Sequence, residues 1–96
     1  MMELELGGNV FPLRADFLAI KRCQDVHDVR IEQLDDAGMV IVGTMVFEFA
    51  KRGAELNRAK FEFELDDFLG LIEIKQTKML AEVVQTLLGL DEEKKT

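Results

Sequence analysis

The sequence predicts an α+β fold, an N-terminal β-hairpin packed on three to four helices, with a short third strand able to join the hairpin. Three observations carry this expectation. Residues 2–14 alternate between apolar and polar around a glycine turn, and residues 65–90 place apolar side chains at three- and four-residue steps. Nearly half of the 96 residues are hydrophobic, which argues for a folded chain over a disordered one. That length makes a single domain over residues 1–90, with a charged, disordered tail at 91–96.

The hairpin spans residues 2–14. In its first strand Leu4 and Leu6 share one face and Glu3 and Glu5 the other, and Gly7-Gly8-Asn9 supplies residues that tolerate positive φ in a tight turn. Residues 10–14 return as the second strand. Pro12 has no N–H, so this strand must lie at an edge or turn that position away from its partner. Asp16 can cap a short helix near 16–24, with Phe17, Ile20 and Cys23 on one face and Lys21, Arg22 and Gln24 on the other. Residues 25–36 read as a charged connection anchored by Val29, Ile31 and Leu34.

Residues 37–53 send two signals. The segment MVIVGTMVFEF is β-branched and aromatic, as a strand would be. Its periodicity is helical, with Met39, Val42, Val46, Phe49 and Ala50 on one stripe, Asp35 or Asp36 as a cap, Lys51 and Arg52 near the C-terminal end and Gly53 as a stop. Length decides for a helix at 36–53, since a strand of that size would be unusually long. Phe61 to Leu65 alternates again and suits the short third strand. The last helix, near 66–88, is the longest periodic stretch; Asp66 or Asp67 can cap it, Gly89 can end it, and Gly70 weakens its first turns. A kink or break falls near 74–77.

Composition excludes several classes of function. No apolar run approaches the roughly 20 residues that cross a bilayer, and the acidic MMELELGG is unlike a basic secretory leader, so a cytoplasmic protein without membrane contact is expected. One cysteine rules out an internal disulfide. The net charge of −7 repels phosphate backbones, so nucleic acid is not an expected partner. Cys23 and His27, four residues apart, could share a helix face as metal ligands with Asp25 or Asp28 nearby, but there is no second Cys or His, and a buried Cys23 with a surface His27 accounts for them better. Glu62, Glu64, Asp66 and Asp67 lack the spacing of a calcium loop and read as a solvated strand face followed by a helix cap. Gly7-Gly8 lacks the Lys and Ser or Thr of a phosphate loop. With so few candidate acids, bases and nucleophiles, no enzyme, metal or cofactor is expected.

The opening MELELGGNVFPLRADFLAIKRC resembles that of the small phage tail assembly chaperones: an acidic first strand, a glycine turn, a second strand with an aromatic near its middle, then a helix starting with Phe-Leu. The layout of the later segments is similar too, with a hydrophobic central helix ending near 50–53, an acidic turn at Leu65-Asp66-Asp67, and a last helix before a charged tail. The resemblance implies a non-catalytic cytoplasmic helper, absent from the finished virion, that coats the apolar helical tape measure protein of a siphophage and helps tail tube subunits assemble around it. It also implies self-association into rings or filaments. Under this reading the partner-facing residues are Met39, Met45, Phe49, Leu71, Ile74, Met79, Val83 and Leu87, although the methionines are equally at home as core filler. Glu93-Lys94-Lys95 can be encoded by an adenine run, and chaperones of this kind are often made in two lengths through a shift of reading frame near such a site. The alternative is a small acidic interaction or inhibitor module with no catalytic activity.

Overall fold

One helix organises the chain. A computed structural model describes residues 2–30 and 38–89. In chain order these form β1 (Met2–Leu6), β2 (Asn9–Leu13), α1 (Phe17–His27), α2 (Met39–Leu56), α3 (Leu65–Leu69), a 3₁₀ turn at Ile74–Gln76, and α4 (Thr77–Leu88). The fold is therefore α+β, a two-stranded antiparallel hairpin against four helices among the described residues. Ile31, Leu34, Asp35, Asp36 and the tail at 91–96 lie outside them.

Gly7 and Gly8 both adopt positive φ, +57° and +81°, the requirement of the type I′ turn that matches strand twist in a two-residue loop. Leu4 stands opposite Phe11 and Glu3 opposite Pro12. Leu4, Leu6, Phe11 and Leu13 are buried, while Glu3, Glu5 and Val10 are exposed. With a two-residue loop, Leu6 and Asn9 exchange the first ladder bonds, and alternation then turns the backbone groups of Glu3, Glu5, Val10 and Pro12 outward. The missing N–H of Pro12 thus costs no ladder bond. Its carbonyl instead faces α2, where a Cβ added at Gly53 would lie 1.9 Å from Pro12 O. Arg14 N–H donates to the Phe49 carbonyl at 3.0 Å. The outer edge of β2 is covered by a helix at Pro12 and Arg14, and that of β1 has no pairing partner among the described residues.

Every residue from 42 to 50 in α2 is buried. A helix that is apolar all round belongs inside a core, and β2, α1, α3 and α4 all pack on this one. That position explains its strand-like composition. Its one neutral polar side chain in this run, Thr44, donates to the Val40 carbonyl at 2.7 Å. The start is Gly38, with no side-chain cap, and the end is Leu56, beyond the stop expected at Gly53. Gly53 serves close approach to β2 and does not terminate the helix.

Helix α1 starts as expected, with Asp16 Oδ1 accepting from Ala19 N–H at 3.0 Å, but it continues past Gln24 to His27. Cys23 and Ala19 are its buried residues; Phe17, expected on the inner face, is 90% exposed.

The expected long helix near 66–88 is two helices. The N–H groups of Leu71 and Ile72 bond three residues back to Phe68 and Leu69, and Glu73 with Gln76 forms a capping box that restarts the chain. The break begins at Gly70, ahead of the expected site near 74–77. Its physical reason is that Phe68 must reach the rings of Phe11, Phe47 and Phe61, while Leu80 and Val84 are buried where α4 meets α2. Asp66 and Asp67 sit in the first turn of α3, whose N-cap is Glu64 without a side-chain bond. Gly89 ends α4 at φ +76°, as read from the sequence.

The third strand does not form among the described residues. The alternation of residues 61–64 is real: Phe61 and Phe63 turn inward and Glu62 and Glu64 outward. Both rings pack on Phe11, so this segment is held by aromatic contacts in place of strand pairing.

Candidate functional site: an apolar groove at the helix break

The break in the C-terminal helix opens a groove of about 190 Å³. Met39, Val40 and Val42 of α2 form one wall; Leu69 and Ile72 continue it, and Ile74, Thr77 and Leu80 close the other side. Gly43 lets α3 come close, since a Cβ there would meet Leu69 Cδ2 at 2.7 Å. Ile74 is 78% exposed, Val40 66% and Met39 53%. These are large apolar side chains in water, at one place, on one molecule. Among the described lining residues the only hydroxyl, on Thr77, already donates to the Ile74 carbonyl at 2.7 Å. The groove can therefore receive apolar side chains, and among the described residues that line it there is no acid, base or nucleophile.

Of the partner-facing residues expected from sequence, Met39 and Ile74 come together here. Met45 and Phe49 do not, because both are fully buried in the wrapped part of α2 and present nothing to a partner. Leu71 is half-buried beneath Gly7, and Met79, though partly exposed, does not line the groove. Val83 is half-buried on α4. Leu87 lines a shallower depression with Leu88, Ala15 and the protruding Phe17. Sequence reasoning missed Val40, Val42, Leu69, Ile72, Thr77 and Leu80; the signal available for them was Gly70, the breaker that sets the two walls apart.

A second arrangement lies on the other side of α2. Glu48, 2% exposed, meets His27 Nε2 through Oε2 at 2.8 Å, while its Oε1 has no hydrogen-bond partner among the described residues. His27, expected at the surface, is half-buried and also stands edge-on to Phe47. Burial, reinforced by the Glu48 carboxylate, pushes the Cys23 thiol up to about 12, which makes it a poor nucleophile. No three His, Cys, Asp or Glu residues gather to hold a metal ion among the described residues.

Between α1 and the end of α2, Asp16 accepts from Arg52 Nε at 2.8 Å, and Glu55 accepts from Arg22 at 2.9 Å and from Arg52 at 3.2 Å. Burial pulls both carboxyls upward, but the Ala19 N–H and Arg52 at Asp16, and Arg22 and Arg52 at Glu55, outweigh it and hold both below their ordinary 3.8 and 4.5. A lowered folded-state value means a contribution that is complete above the ordinary values and is lost as pH falls through the lowered ones. Urea midpoints should accordingly fall between about pH 5 and pH 3. Arg52→Met should flatten that dependence; an unchanged slope in the variant would contradict the assignment.

Comparison with known proteins returns no matching family model, no matching curated protein and no matching solved structure. Among the described residues no helix is long and apolar enough to cross a membrane.

Proposed function

We propose that this chain is a tail assembly chaperone of a phage or prophage, which shields apolar helices of a tape measure protein in the host cytoplasm while tail tube subunits assemble. The observation that supports the reading is the groove at the helix break, where three exposed apolar side chains, Ile74, Val40 and Met39, gather around one apolar depression. An amphipathic helix lays its apolar face into such a groove through residues spaced three and four apart. Methionine on the wall suits partners of varying sequence, since its thioether repacks at small cost. The net charge of −7 keeps a complex with an otherwise insoluble partner in solution. Self-association over the same surface would cover the groove until the partner arrives.

Co-expression with the tape measure protein that the proposal requires to be encoded nearby tests it. The chain should raise the soluble fraction of that protein, and Ile74→Glu should abolish the effect while leaving the circular dichroism melt in place, because Ile74 is 78% exposed. Equal solubilisation by the variant, or the lack of any tail tube and tape measure genes in the neighbourhood, would overturn the reading.

A further inference from the structure

The outer edge of β1, unpaired among the described residues, is a second candidate for binding, independent of the groove. On β2 the outer edge is covered towards its C-terminal end: Pro12 has no N–H, its carbonyl lies against Gly53, and the N–H of Arg14, the residue after the strand, is bonded to Phe49, which leaves only the outward groups of Val10 without a hydrogen bond to a described residue. On β1 the outward groups of Glu3 and Glu5 have no hydrogen bond to any described residue. An exposed strand edge of this kind is a template for another extended chain. Its side chains say which chain. Glu3 and Glu5 stand on the solvent face, whereas Leu4 and Leu6 turn to the core with Met2 half-buried beside them.

A second copy of β1 is disfavoured as the occupant. Pairing two β1 strands with their apolar faces on the same side puts Glu3 and Glu5 of one directly against Glu5 and Glu3 of the other, and like charges directly opposite destabilise a pair. A strand with Lys or Arg at alternate positions meets those carboxylates instead, and its intervening apolar residues fall beside Met2 and Leu4. We infer that the β1 edge accepts, by strand addition, an extended segment of a partner protein in which basic and apolar residues alternate. Backbone bonds supply the attachment and the two carboxylates supply the selection.

The test uses the full chain, labelled with ¹⁵N, and two synthetic peptides, one alternating Lys and Val and one alternating Glu and Val. The Lys peptide should slow amide exchange at Glu3 and Glu5 by about tenfold or more, and the Glu peptide should leave it unchanged. Glu5→Pro removes one outward N–H without breaking a ladder bond, as Pro12 does on the other strand, and should weaken binding about tenfold. The double reversal Glu3→Lys with Glu5→Lys should invert the preference between the peptides. Equal response to both peptides, undiminished binding by Glu5→Pro, or perturbations confined to Met39, Val40 and Ile74 would each overturn the inference.

Discussion

Gly53→Ala should lower the melting midpoint by about 15 °C or more, the loss of about 3 kcal/mol in a domain of this size. The added methyl would sit 1.9 Å from the Pro12 carbonyl oxygen and 3.1 Å from Leu13 N. Flexible side chains can move aside, but these are backbone atoms of a strand. That strand is held on one side by β1 and on the other by the Arg14 to Phe49 bond, so relief requires lifting the hairpin from α2. Gly8→Ala is the control: nothing lies within 4 Å of a Cβ there, so it suffers only the strain of positive φ at +81°. Thermal denaturation of the two variants side by side checks the assignment, and comparable midpoints would mean that the hairpin is not seated on α2 through Gly53.

His27→Ala should cost about 3 kcal/mol or more, because it leaves the Glu48 carboxylate buried without its one observed partner. The double variant His27→Leu with Glu48→Met should recover most of that loss, since replacing both members of a buried pair by apolar groups of similar size is often neutral or stabilising. Urea denaturation of the two singles and the double gives the coupling directly. Additive losses would show that the 2.8 Å contact between α1 and α2 contributes nothing of its own. The surface pair Lys21–Asp25, exposed on both sides, should matter far less.

How legible the fold was in the sequence depended on whether a residue's role was local. The turn at Gly7-Gly8, the Asp16 cap, the outward Pro12 and the Gly89 stop were all readable, because each is decided by the backbone conformation its own residue allows. Gly53 was misread as a stop and Phe61 to Leu65 as a strand, because their roles depend on what lies opposite: a strand carbonyl in one case and an aromatic cluster in the other. Helix α2 was recognised by its period despite its strand-like composition, which reflects burial on every side. The groove was half visible. Met39 and Ile74 could be singled out as apolar residues on helix faces, but only the break after Leu69 brings them to one groove, and a single continuous helix over 66–88 would have dispersed them. Glu48 could not be distinguished from a solvated glutamate, since its partner lies 21 residues away.

The central place of α2 has a further consequence for how the chain becomes a protein in time. β2 and α1 precede it, α3 and α4 follow it, and each finds its main packing surface on it. During synthesis the first 30 residues therefore have little to dock against until the middle of the chain has emerged, and the hairpin alone would be marginal in water. Assembly should then be nearly all-or-none, with α2 amides exchanging only when the whole domain opens and those of α1 and α4 able to exchange through partial detachment. A chain built on one shared spine has no half-built state in which to rest.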